Sequence, residues 1–222
     1  MIGANLLRGG CMKKSGLVVG VDVPWVTSWT DEPVIGVRPC STVQGRPALV
    51  QMQNAGYGRP QYSKNHLVRK RRSILEMLCP MCGEPTTSND RWTQVASLAP
   101  AGLLRRAGKA SGLPREIEDK RVLLDAGSIA PLHKACVDRS LKYCPHLKAD
   151  PNVNVMAFPA RWAVLPLLIE AAPMIETATT AGVGGAVLVI TFLQLVGITG
   201  RTDRDWRFRK TPPRVPERES GG

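Results

Sequence analysis

Two pairs of metal-ligand side chains constrain this 222-residue chain more than any other feature. LCPMCGEP sets Cys79 and Cys82 in a C-x-x-C step with Gly83 directly behind, and APLHKAC sets His133 and Cys136 three residues apart farther along. A C-x-x-C-G turn aims both sulfurs at one point, because the glycine lets the backbone reverse with φ > 0. At the start of a helix, residues three apart share a face, where unpaired N–H groups and the helix dipole help hold a thiolate. Together the pairs make a closed Cys3His site. Soft thiolates with one imidazole suit zinc, and a full protein ligand set reads as structural rather than catalytic. The fold class expected is α+β: a small treble-clef-like or zinc-ribbon-like zinc domain with flanking short strands and a disordered C-terminal tail.

Spacing leaves other readings open. Cys79 and Cys82 also fit a redox pair or two unligated core thiols, and His133 and Cys136 fit a hydrogen-bonded histidine beside a buried thiol. Cys144 or His146, in YCPHL, is an alternative donor for one of the four positions. Cys11 and Cys40 have no partner spacing. Ligand spacing rather than a disulfide framework places the chain in a reducing cytoplasm. No export signal is read, since the apolar run after Lys13 and Lys14 breaks at Asp22. Met12, followed by those two lysines, is a second candidate for the translation start.

Thirty Lys and Arg against 18 Asp and Glu give a net charge of +12, which favours phosphates, acidic lipid or acidic protein as partners. The densest basic run is Arg69, Lys70, Arg71 and Arg72, with Arg59, Lys64 and His66 upstream. This run is the candidate phosphate-contacting patch, and Tyr57 and Tyr62 lie near enough in sequence to stack on bases. Its plainer reading is a solvated helix face. Binding of this kind is largely independent of base sequence and weakens steeply with salt.

The chain divides into four segments. Residues 1–63 form a β-rich unit in which LVVGVDV, PWVTSW, VIGV and ALVQMQ alternate with turns at Asp31-Glu32-Pro33, Arg38-Pro39 and Gly45-Arg46-Pro47. Residues 64–150 form the zinc domain. In it KNHLVRKRRSILEML is a helix with Leu67, Ile74, Leu75 and Leu78 on one face, and only Arg71 of the basic run falls on that side. Trp92, Val95 and Leu98 recur every three residues, as in a short helical turn, and 102–119 reads as a mobile insertion. KRVLLDAGS is a strand, and His133 to Cys144 is a helix with Pro131 in its first turn.

Residues 151–200 form an apolar strand region and 201–222 a disordered basic tail. Thr177 to Gly200 carries no charge over 24 residues and is followed by arginines, which on length alone is a membrane-span candidate. Val187 to Phe192 is instead rich in β-branched and bulky residues among glycines, and a buried strand is the preferred reading.

Enzyme signatures are missing from the sequence. It has no P-loop, dinucleotide-binding glycine pattern, HExxH or GxSxG. A His-Cys metal nuclease needs a general-base histidine between knuckle and helix, and none stands between Gly83 and Leu132. VPWVTSWTDE, GYGRPQYSKNHLVRKRRSILEMLCPMCG and APLHKACVDRSLKYCPHLKAD together resemble a group of small bacterial and prophage-associated zinc-knuckle proteins. The resemblance spans roughly residues 23 to 150 and implies a zinc scaffold with Cys79, Cys82, His133 and Cys136 as ligands. It implies no activity. The expectation is a non-enzymatic, zinc-stabilised binding protein of phage or prophage type contacting nucleic acid or an acidic protein. A membrane-associated protein is the alternative, and a metal-dependent nuclease the third reading.

Overall fold

The computed structural model describes residues 13–110, 112–151, 153–171 and 187–205. In chain order the elements are β1 (Thr27–Trp29), β2 (Val34–Pro39), β3 (Pro47–Gln51), β4 (Pro60–Asn65), α1 (Leu67–Leu75), β5 (Trp92–Thr93), β6 (Ser97–Pro100) and α2 (Ala101–Arg106). They continue with β7 (Arg121–Asp125), α3 (Lys134–Tyr143), α4 (Pro145–Ala149), β8 (Met156–Ala157), β9 (Arg161–Ala171) and β10 (Val187–Thr202).

A mixed six-stranded sheet organises the fold, with β2-β3-β10-β7-β6 in order and β9 also on β10. β9 runs antiparallel along one edge of β10. The other edge is shared: β3 pairs parallel at Ile190 opposite Ala48, and β7 pairs antiparallel from Val196 onward. This sheet therefore draws strands from residues on both sides of the Cys and His pairs. Two further pairings are small, β1 with β4 and β5 with β8.

The uncharged stretch before Arg201 thus contributes the central strand, where Val189, Ile190, Leu193, Leu195 and Val196 are buried. β-Branched side chains fit such a half-enclosed pleated surface. Among the described residues no helix is long and apolar enough to cross a membrane. Residues 177–186, and the tail from 206 onward, lie outside the described residues.

Apolar side chains gather in three clusters. The largest has thirteen buried residues and joins α1, through Ile74, to β10, through Ile190, Leu193 and Leu195. A second holds Leu104, Leu113 and Ile117 against Leu123, Leu165 and Val196. The third is small and surrounds the Cys and His pairs, with only Cys79, Leu132 and Val137 fully enclosed.

Two local expectations are corrected here. The three-residue spacing of Trp92, Val95 and Leu98 does not make a helical turn, because Trp92 pairs with Ala157 and Leu98 with Leu124 as strand residues. Cross-strand pairing overrides a weak local period. The segment 102–119 is no loose insertion: α2 and the coil behind it bury Leu104, Ala110, Leu113 and Ile117. Arg105 fastens this coil by donating to the carbonyls of Pro114 and Ile117 and pairing with Asp119.

The basic run is also corrected, and by burial. Arg69 is 4% exposed and Arg71 0%, while Leu75, expected on the apolar face, is exposed. Arg69 donates to both oxygens of the enclosed Glu32 carboxylate, at 2.6 and 2.8 Å, and to the Thr27 carbonyl. Arg71 donates to the carbonyls of Leu49 at 2.8 Å and Thr191 at 2.7 Å, bridging β3 and β10. A buried cation needs such partners, and these two have none of the exposure that contact with a phosphate requires. Lys70 lies 4.6 Å from the centre of the Phe192 ring, and burial holds its pKa below the ordinary lysine value. Arg72 pairs with Glu76 one turn on. The four cations are therefore engaged within the fold, and of the candidate patch only Lys64 and Arg59 are exposed and without an acidic partner among the described residues.

Candidate metal centre

The first ligand pair sits on a tight turn directly after α1. Leu78 and Pro85 form an antiparallel bridge, the Cys79 N–H donates to the Glu84 carbonyl at 2.8 Å, and the Gly83 N–H donates to the Cys79 carbonyl at 2.8 Å. Gly83 has φ +85, and a Cβ there would lie 2.9 Å from the Trp25 ring. Glycine is required twice, for the backbone reversal and for the indole packed against it. The preceding segment braces the turn from outside: Trp25 N–H donates to Met81 and Val26 N–H to Pro80. Gly20, also at positive φ, permits a second close approach, since a Cβ would stand 2.8 Å from the Cys82 carbonyl oxygen.

The second pair is carried by the start of α3. Reciprocal backbone hydrogen bonds between Trp92 and Leu132, at 2.9 and 2.8 Å, fix the residue before His133. His133 is the N-cap residue, with extended backbone, and its side chain does not cap the helix. Asp90 takes that role, accepting the Lys134 N–H at 2.8 Å. Pro131 consequently stands before the helix rather than in its first turn. Val137 turns inward one step beyond Cys136 and anchors the helix in the small cluster.

These two supports bring Cys79, Cys82, His133 and Cys136 together, with one donor atom from each lying within 4.8 Å of the others. Cys79 is buried and the other three are half-buried. The Cys82 Sγ lies 3.4 Å from His133 Nδ1. Bonds of about 2.3 Å to sulfur and about 2.05 Å to nitrogen at a tetrahedral angle require about 3.6 Å between those atoms. The remaining ring nitrogen, Nε2, lies 3.1 Å from the Pro85 carbonyl. A carbonyl only accepts, so Nε2 carries the proton and Nδ1 presents its lone pair to the cluster. The donor set and its geometry fit a four-coordinate metal ion.

Electrostatics point the same way. Burial raises the Cys82 thiol pKa, and proximity to Cys79 adds to it against the lowering effect of a Glu84 backbone hydrogen bond. Cys136 is pushed up to about 12, first by burial and then by Cys79 and Cys82. Three thiolates this close repel one another, and a divalent cation is what allows them to ionise together.

Cys144 and His146 are not in this cluster. They close α3 and open α4 some distance along the chain and line a separate groove. Cys40 is buried in the largest apolar cluster, and Cys11 lies outside the described residues. Several supporting groups carry no spacing signal: Trp25, Asp90 and the Pro85 carbonyl. The glycine at 83 was the one visible trace of them.

Fold and site together define a mixed α+β protein with a Cys3His group able to hold a metal ion, and the donor chemistry points to zinc. Comparison with protein-family models, with curated proteins and with solved structures finds no match. The resemblance to prophage-associated zinc-knuckle proteins therefore identifies no family, and the cluster stands on its own geometry.

Proposed function

We propose that the protein is a zinc-stabilised, non-enzymatic binding protein that contacts nucleic acid through its basic surface. The observation that supports this reading is the convergence of four protein donors within 4.8 Å, a complete tetrahedral set that leaves no ligand position for a substrate. A turn carrying Cys79 and Cys82, followed by a helix start carrying His133 and Cys136, favours a treble-clef-like arrangement over a ribbon. In that arrangement the ion would tie the end of α1 to the start of α3. The charge of +12 supports an anionic partner. With Arg69 and Arg71 enclosed, that role passes to exposed cations elsewhere.

Elemental analysis of untagged protein, beside Cys79→Ser and His133→Ala, tests the scaffold. About one zinc per chain is expected, lost together with folding of the central region in both variants. Soluble, folded wild-type protein without zinc would discard it. A mobility-shift assay across a salt series tests the partner, with binding expected at low salt and steep loss as salt rises. No binding at low salt would remove the nucleic-acid half.

A further inference from the structure

An open groove of about 1150 Å³ lies beside the metal centre, between β4, the turn around Asp22 and the junction of α3 with α4. It exceeds the roughly 300–1,000 Å³ of ordinary small-molecule sites, and its open shape suits a polymer segment. Met81, from the Cys79–Cys82 turn, forms part of its wall. The groove is thus built directly on the element that the metal would hold in place.

Its cations come from both banks, Lys64 exposed on β4 and Arg139 on α3, and His146, exposed on α4, adds an imidazole ring. Arg139 is half-buried, donates one hydrogen bond to the Gly20 carbonyl at 3.3 Å, and pairs with no carboxylate among the described residues. Most of its N–H groups therefore remain for a ligand. The one acidic lining residue, Asp22, accepts the Val18 N–H at 2.8 Å through one of its two oxygens. Two aromatic rings stand among these charges: Tyr62 is 64% exposed and Tyr143 68%. The Lys142 ammonium lies 5.2 Å from the centre of the Tyr143 ring.

We infer that this groove binds single-stranded nucleic acid, with phosphates on Lys64, Arg139 and His146 and unpaired bases stacked on Tyr62 and Tyr143. The inference rests on the nucleic-acid reading above and gives it a location. Interleaved cations and exposed aromatic rings along a groove are the chemistry of base-independent single-strand binding. A duplex keeps its base faces covered and cannot use the tyrosines.

The test is fluorescence anisotropy of the metal-loaded full chain with labelled oligothymidine and with a duplex of equal length, over a salt series. Tyr62→Ala and Tyr143→Ala should each weaken single-strand binding by about 5- to 150-fold, the range that one stacked base carries. Lys64→Ala/Arg139→Gln should flatten the slope of log affinity against log salt by about 1.4, for two phosphate contacts on a single strand. Lys109→Ala/Lys120→Ala removes the same charge from outside the groove and should leave affinity within about twofold, since direct contacts rather than net charge govern that slope. Zinc content and circular dichroism confirm that each variant is folded.

Wild-type binding undiminished in the tyrosine and Lys64/Arg139 variants would overturn the groove while leaving nucleic-acid binding in place. Equal losses in the outside control would do the same, reducing the effect to net charge. Preference for the duplex would overturn the single-strand assignment. Failure of the wild type to bind either probe would overturn both this inference and the reading beneath it.

Discussion

Removing the metal should open the region around Cys79 and α3 while leaving the six-stranded sheet folded. Ordering the eight residues from Cys79 to Thr86 costs about 8–16 kcal/mol in backbone entropy. Burial of Leu132 and Val137, the only enclosed aliphatic side chains of that cluster, offsets about 3–6 kcal/mol. Packing is therefore short by about 2–13 kcal/mol, a gap of the size that a structural zinc site supplying about 10–16 kcal/mol closes. The sheet has no such deficit, with thirteen buried residues in its main cluster alone. The assay is amide hydrogen exchange at neutral pH under reducing conditions, before and after chelation. The Cys79 and Gly83 amides, bonded to the Glu84 and Cys79 carbonyls, should lose protection. The Ala126 and Leu195 amides, bonded to the Leu195 and Gly127 carbonyls, should keep it. Undiminished protection at Cys79 and Gly83 in protein stripped of metal would refute the reasoning, because packing alone would then hold the turn.

Other outcomes follow from the buried charges and the turn. Glu32→Ala should cost about 3–5 kcal/mol in urea denaturation, because it leaves Arg69 enclosed without its carboxylate; a loss under 1 kcal/mol would show that water replaces the pair. Arg71→Met should destabilise by about 2–6 kcal/mol, since the Leu49 and Thr191 carbonyls each lose a buried donor worth about 1–3 kcal/mol. Gly83→Ala should weaken metal affinity in a chelator competition by at least about fivefold, combining positive-φ strain with the clash against Trp25; unchanged affinity would mean the turn yields freely. Acid should destabilise the fold through His66, whose pKa is lowered by burial and then by Arg69. Its Nδ1 accepts the Arg69 N–H and its Nε2 lies 2.8 Å from the Met52 carbonyl, so it is held neutral. That contribution is fully present above the unfolded value of about 6.5 and is lost as pH falls from there through the folded pKa. His66→Gln, compared with wild type at pH 7.5 and pH 5, should show a smaller pH dependence of the denaturation midpoint.

The Cys3His cluster was legible because its chemistry is local. Two residues three apart on a turn, and two more on the first turn of a helix, announce themselves without knowledge of the rest. Two strands of the sheet were legible for a related reason: the runs RVLLD and VLVITF carry consecutive buried residues, and they became part of β7 and β10. Residues whose role depends on distant partners were not legible. Arg69 read as solvated or phosphate-binding, and Arg71 fell on the apolar face with no partner in view, because nothing in RKRR reveals that Glu32 and two strand carbonyls lie beneath them. Trp92 and Leu98 were misread because their partners, Ala157 and Leu124, lie far away in sequence. The groove of Tyr62, Arg139 and Tyr143 brings together segments that only the fold makes neighbours.

The position of β10 has a consequence for how the chain reaches this state. β3 and β7 both hydrogen-bond to β10, and β9 lies along its other edge. On a ribosome, the strand pairs β2–β3 and β6–β7 emerge long before the strand that joins them. Contacts as distant as Ala48 with Ile190 place the chain among slow-folding topologies. The region of Cys79 to Cys136 needs no such wait: both ligand pairs emerge before β10, and metal capture can order them while the sheet is still incomplete. Nascent chains arrested before residue 187 should therefore already protect the cysteines from alkylation in the presence of zinc, yet leave the apolar faces of β3 and β7 open to chaperones until the final strand arrives.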